Sequence, residues 1–203
     1  MSAPSKIGRL SMRGTVLLLC DMQEKFRPNI VHFGEIVSNA ARLLQAFRIL
    51  GLPHLATEQY PRGLGPTVPE LGAQGVPTFS KTTFSMLTPE VEAELSRVPD
   101  LKRAILCGIE AQACIACTAL DLMERGLQVH LVADACSSRT QVDRMITMTM
   151  LKQNGAFLTT VEGAMLQLVR DAAHPNFKEI QQLITKPSAD TGLLSFFQSP
   201  LSG

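Results

Sequence analysis

An α/β fold, with a mostly parallel sheet covered by helices on both faces, is what this chain of 203 residues predicts. Three observations lead there. Short apolar runs of strand length alternate with longer segments whose apolar residues recur at helical spacing. The runs are apolar throughout instead of alternating, as expected for strands buried on both faces. Gly and Pro punctuate the junctions. Strands and helices in alternation imply right-handed crossovers between parallel neighbours.

The elements follow in order. Thr15–Cys20 is the first buried strand. Ile36, Ala40, Leu43, Leu44, Phe47 and Leu50 then share one helical face, and Gly51 with Pro53 stops that helix. His54–Thr57 is a second strand, followed by a Pro- and Gly-dense stretch, Tyr60–Pro77, that reads as a loop or lid. Pro77–Ser80 is a short third strand. Thr88 is the N-cap of the next helix and Pro89 its first residue. Arg103–Ile109 is a strand, Cys114–Arg125 a helix closed by Gly126, and Gln128–Ala133 a strand. Thr140 to Asp143 opens a helix that runs toward Gly155, and Ala156–Thr160 is the last strand.

One domain, residues 14–185, accounts for all of these elements, with a flexible N-terminal tail over 1–13 and a C-terminal tail over 186–203. The second tail carries an apolar patch, Leu193-Leu194-Ser195-Phe196-Phe197. Docking, for instance on a neighbouring subunit, and disorder are both readings of it.

Composition narrows the partners. Hydrophobic residues make up 45%, ample for a core, while 19 basic against 18 acidic side chains leave a net charge of +1. That balance excludes a disordered chain and argues against nucleic-acid binding driven by counterion release. Aromatics at 5%, with no Trp, make a base-stacking platform a poor fit. Runs such as Val16–Cys20 are far too short to span a membrane. Five cysteines, at 20, 107, 114, 117 and 136, cannot all pair within the chain, which fits a reducing compartment. The expected location is the cytoplasm. Lys6, Arg9 and Arg13 among serines, with no acid before Asp21, resemble a mitochondrial transit signal as the alternative.

In an open parallel sheet, ligands bind beyond the carboxyl ends of the strands. Asp21 follows the first strand, Glu58 and Gln59 the second, Lys81 the third, Asp134 the fifth, and Cys114 lies shortly after the fourth. An acid, an ammonium and a thiol thus gather at one rim. His54 and His130 belong to the opposite end, His174 lies late in the chain, and only His32 is placed to reach the rim. An Asp–Lys–Cys trio therefore fits better than a Cys–His pair. A helix N-terminus and a neighbouring ammonium both favour the thiolate, the nucleophilic form of cysteine. A nearby carboxylate can take the thiol proton and return it to a leaving group. Taken singly, each residue has an ordinary structural reading as a turn, cap or solvated charge. Together at one rim they make chemistry.

The residues that carry this trio also resemble a known family. Val16-Leu-Leu-Leu-Cys-Asp21-Met-Gln23, then Lys81, then Gly108-Ile-Glu-Ala-Gln-Ala-Cys114-Ile are similar to the isochorismatase-like cysteine hydrolase superfamily, in order and over about residues 14–185. The resemblance implies a three-layer, Rossmann-like α/β/α sandwich and a catalytic triad of Asp21, Lys81 and Cys114. It implies hydrolysis of a small amide or related C–N bond through a covalent acyl intermediate, with no cofactor. It further implies a cis peptide at Ile109–Glu110 and an oxyanion hole built from the backbone N–H groups of Glu110 and Cys114. Homo-oligomers are expected on the same ground. Gln23, Phe26, Tyr60 and Phe84 are the candidate pocket residues.

There are departures too. Ala111 stands where relatives often carry Thr, and Gln112 where many have His. These motivate an alternative: a weakly active or inactive member serving as a protein-interaction module. Glu58-Gln59-Tyr60 lacks the Asp-x-His metal site of related nicotinamidases, so no metal is expected. Cys114-Ile-Ala-Cys117 matches C-x-x-C, but zinc needs a second ligand pair. Cys117 reads as core packing, with a resolving thiol as the rarer alternative.

Overall fold

The computed structural model describes residues 7–193. Six parallel strands form one sheet in the order β3-β2-β1-β4-β5-β6, with β1 at Thr15–Cys20, β2 at His54–Gln59, β3 at Thr78–Lys81, β4 at Arg103–Gly108, β5 at Gln128–Cys136 and β6 at Phe157–Thr159. The order grows outward in both directions from the β1–β4 pair, which creates a switch point between them.

Helices cover both faces, giving the expected three layers. On one side lie α1 (Phe33–Ile49), α6 (Val161–Val169) and α7 (Phe177–Ile184); on the other lie α3 (Pro89–Ser96), α4 (Ala116–Glu124) and α5 (Gln141–Gln153). Strand alternation divides the core between them. Leu17 and Leu19 join the first cluster, whereas Val16, Leu18 and Cys20 join the second. Every residue of β1 is buried, which explains its unbroken apolar run. Thr88 caps α3 as expected, accepting from Val91 N, and Thr140 caps α5 by accepting from Asp143 N. Such a cap is worth about 1 kcal/mol.

Several boundaries move. The Pro-rich stretch after β2 holds a one-turn helix, α2 (Pro61–Leu64), and a 3-10 turn at Pro69–Leu71. Strand β5 runs on to Cys136 and so contains Asp134 instead of ending before it. The Asp134 carboxylate accepts from Val161 N at 2.9 Å and anchors the start of α6. Two helices, α6 and α7, lie beyond the last predicted strand.

Both tails are partly folded onto the domain. Leu10 is 1% exposed and its N–H donates to Gln167 Oε1, so the chain before residue 14 is already packed. At the other end, Asn39 brackets Ala189 with two hydrogen bonds. The buried Arg144 guanidinium holds Thr191 through its carbonyl at 2.7 Å and its hydroxyl at 3.0 Å. The strap up to Thr191 thus docks on its own chain. Lys6 of the transit-like segment and Leu194–Phe197 of the apolar patch lie outside the described residues. No helix among the described residues is long and apolar enough to cross a membrane.

Candidate active site

The sheet delivers three side chains to one point. Asp21 leaves β1 at φ 50°, a left-handed conformation that Asp tolerates better than most residues, and its N–H bonds to Thr57 O. Its carboxylate accepts from Thr57 Oγ1 at 2.7 Å through Oδ1 and pairs with Lys81 Nζ at 2.7 Å through Oδ2. Lys81 ends β3, two strands away from β1. Its side chain is fully buried, and its ammonium also reaches Gln59 Oε1 (2.6 Å) and the carbonyls of Thr83 and Phe84 (3.1 Å each).

Cys114 arrives from the other side of the switch point. Gly108, at φ 121°, lies so close to β1 that a Cβ there would fall 2.1 Å from Cys20 O. Only glycine fits, and that contact sets β4's exit directly beside Asp21. The next peptide, Ile109–Glu110, is cis. Ala111–Ile115 then forms a π-helical turn ahead of α4, so Cys114 sits inside this turn instead of opening a regular helix. Turns of this kind recur at functional sites. Ala113 N and Ile115 N both donate to Glu110 O, and Ala111 N to Ser137 O, which ties the turn to the end of β5.

Lys81 Nζ lies 3.5 Å from Cys114 Sγ. The Cys20 and Cys114 thiols and a carboxylate oxygen of Asp21 all lie within 4.8 Å of one another. The ammonium of Lys81 contacts Asp21 and Cys114 in the same cluster, so these groups already have a cation. Burial acts to lower the Lys81 pKa, but the neighbouring Cys20, Asp21 and Cys114 outweigh it and hold the lysine above its ordinary value. Lys81 is a fixed positive charge at neutral pH. Cys20 is also pushed up, by burial, by its hydrogen bond with Cys114 and by Asp21, which for a thiol favours the neutral form. A thiol buried beside a carboxylate stays protonated.

The remaining sequence candidates separate. Gln23 is fully buried with its amide spent on the backbone, donating to Gln59 O and Gly65 O and accepting from Gln59 N. It clamps the loop after β2 instead of lining a pocket. Phe26, 8% exposed, belongs to the apolar core. Tyr60 and Phe84 are exposed, at 55% and 60%. Tyr60 lines an open cleft of about 530 Å³ with Arg62, Thr82, Thr83 and Glu90; Lys81 lines it too, but Asp21 and Cys114 do not. Glu110 pairs with Arg139 and accepts from Gln112, at the entrance to the π turn. His32 lies against Gly192 of the C-terminal strap. Glu58 is spent on Thr67, whose N–H and hydroxyl it receives.

Three contributors were not singled out from sequence: Thr57, Cys20 and the lysine-holding role of Gln59. Register would have found the first two. Cys20 pairs with Thr57 on one side and Gly108 on the other, so all three stand at the same level as the residue that precedes Asp21.

Known proteins resemble this chain in sequence and in fold. The isochorismatase domain model matches residues 15–163. The isochorismatase domain-containing protein 2 of Danio rerio is 65% identical over 193 residues, covering 95% of this chain and 98% of its own. A solved structure described as a MAR1 ribonuclease from Caenorhabditis elegans superposes with a TM-score of 0.88 at 46% identity, over 96% of this chain and 99% of that one. The YcaC gene product of Escherichia coli, described as an octameric hydrolase of unknown specificity, gives 0.76 at 25% identity, over 87% and 95%.

Proposed function

The chain belongs to the isochorismatase domain family, and from that premise we propose that it is a cysteine hydrolase acting on a small amide or related C–N bond. One observation carries the reading: Lys81 Nζ stands between Asp21 Oδ2, at 2.7 Å, and Cys114 Sγ, at 3.5 Å. Asp21 takes the Cys114 proton, and the thiolate attacks the substrate's carbonyl carbon. The resulting oxyanion is received by the backbone N–H groups of Glu110 and Cys114, where fixed donors act without reorganising. Asp21 then gives its proton to the departing amine, leaving an acyl thioester on Cys114. Water, deprotonated by Asp21, hydrolyses it and frees the acid. Lys81 transfers no proton; it holds both anions in place.

Self-assembly belongs to the same reading, supported by the octameric E. coli relative. A second reading, cleavage of RNA, is raised by the description of the nematode relative. The net charge of +1 weighs against it, since RNA affinity rests on neutralising phosphates.

The deciding experiment is a hydrolysis panel of small amides, ureas and a single-stranded RNA, run with the wild type and Cys114→Ala. Turnover of an amide by wild type alone, with an acyl adduct mapped to Cys114, is expected. Amide turnover retained in the variant contradicts the covalent mechanism. Failure on every substrate, together with slow alkylation of Cys114, favours the interaction module.

A further inference from the structure

Cys20 has no role in that mechanism, yet its thiol shares the triad's space. Its sulfur and that of Cys114 lie within 4.8 Å, inside the cluster that also includes an Asp21 oxygen; Cys117 is outside that cluster. Cys20 is wholly buried, at the end of β1, while Cys114 retains 6% exposure. Cys114 is therefore the more accessible of the two residues to a small oxidant, and Cys20 is placed to receive the product.

We propose that Cys20 is a resolving thiol for Cys114, so that a hydroperoxide converts the site reversibly to a Cys20–Cys114 disulfide. The inference rests on Cys114 being the reactive thiol of the hydrolase reading. In the first step the Cys114 thiolate attacks a peroxide oxygen. An S–O bond forms, the O–O bond breaks, and the departing hydroxide becomes water by taking from Asp21 the proton that Cys114 gave up. The sulfur is oxidised to the sulfenic acid and the peroxide is reduced. In the second step Cys20 gives its proton to Asp21 and attacks the Cys114 sulfur. An S–S bond forms, the S–O bond breaks, and the hydroxide leaves as a second water with that proton. Two thiols and one hydrogen peroxide thus become one disulfide and two waters.

This arrangement has a chemical purpose. A sulfenic acid without a partner goes on to the sulfinic and sulfonic acids, which cellular thiols do not reverse. A partner within reach stops oxidation at a state that dithiols reduce. The price is temporary loss of the nucleophile. Cys117, one turn along from Cys114, is the obvious candidate from spacing, but Cys20, from far earlier in the chain, is the thiol that shares the Asp21–Cys114 cluster.

The test uses the full chain, reduced and then freed of reductant. Alkylation rates of Cys114 and Cys117 are first measured without peroxide, which tests the reactive-thiol premise by itself. The protein is then treated with a small excess of hydrogen peroxide, blocked with N-ethylmaleimide during denaturation, digested and mapped by mass spectrometry. The expected product is a peptide pair joined through Cys20 and Cys114, with Cys107, Cys117 and Cys136 alkylated and the link removed by dithiothreitol. In Cys20→Ser and Cys20→Ala, Cys114 should end as sulfinic acid, and the thiol recovered by dithiothreitol should fall several-fold. Cys117→Ser should behave as wild type. A Cys114–Cys117 link, a sulfinic Cys114 beside a free Cys20, or an unmodified Cys114 in the wild type would each overturn the proposal, whatever the fate of the variants.

Discussion

The rim beyond β1, β3 and β4 and the strip formed by β4 and β5 both bury ionisable groups, but they treat them differently. In the strip, burial acts almost alone. Cys107 is pushed well above its ordinary value by desolvation, with Cys136 and Asp134 adding to it, and Cys136 is pushed up to about 12 by desolvation. His130, stacked on Phe157 at 5.1 Å, is pushed down to about 4 by desolvation and by Arg103. Each of these groups is held in its neutral form. At the rim burial is as deep, yet Lys81 is raised despite it, because a carboxylate and two thiols surround the ammonium. Burial without a partner of opposite charge makes a side chain inert, and burial with one makes it a tool.

Substitutions test that contrast, and the largest effect is expected at Cys114, the proposed nucleophile. Cys114→Ala should lower turnover on the order of 10⁴-fold or more while leaving thermal unfolding almost unchanged. Lys81→Met comes next. It should lower turnover by about 10²- to 10³-fold and also cost about 3–5 kcal/mol, because Asp21 is left buried without its partner. Adding Asp21→Asn to Lys81→Met should recover part of that stability without recovering activity, a cycle read by chemical denaturation.

On the strip side the effects are on stability alone. The His130 pKa lies below the 6.5 of an ordinary imidazole, so the unfolded chain binds the proton first as pH falls. Its contribution is complete above about pH 6.5 and is lost as pH falls toward 4, a few kcal/mol in all. His130→Leu should flatten that acid limb in denaturation curves taken across the range. Cys136→Ala should be the mildest, costing about 1–2 kcal/mol through lost packing and leaving turnover intact. A catalytic defect in that variant would blur the boundary between the two regions.

Much of this was legible in the sequence, for physical reasons. Strands β1 and β4 are central and buried on both faces, so their apolar runs match their residues closely. Asp21 follows β1, Lys81 ends β3 and Cys114 lies in the turn after β4, and parallel topology brings the carboxyl ends of these strands to one rim. The reach of β5 was hidden because Asp134 interrupts the apolar run, and its carboxylate is satisfied by Val161 N from another element. The C-terminal strap was hidden for a similar reason. Its composition is that of a loop, and it is held by side chains from α1 and α5 that no local pattern reveals. Gln23 is a case in the other direction: a polar residue near the motif reads as a pocket wall from sequence, and its amide is used in hydrogen bonds to Gln59 and Gly65.

Two thiols one turn apart on the same helical stretch show whether Lys81 activates Cys114. Cys117 is the more exposed, and its pKa is raised by burial and by Cys114 and Asp121, while Cys114 is 6% exposed beside Lys81. Iodoacetamide labelling of the reduced chain at about pH 6.5, followed residue by residue in mass spectra, separates surroundings from exposure. Cys114 should label first, and Lys81→Met should remove its lead. Cys117 labelling ahead of Cys114 in the wild type would contradict that activation.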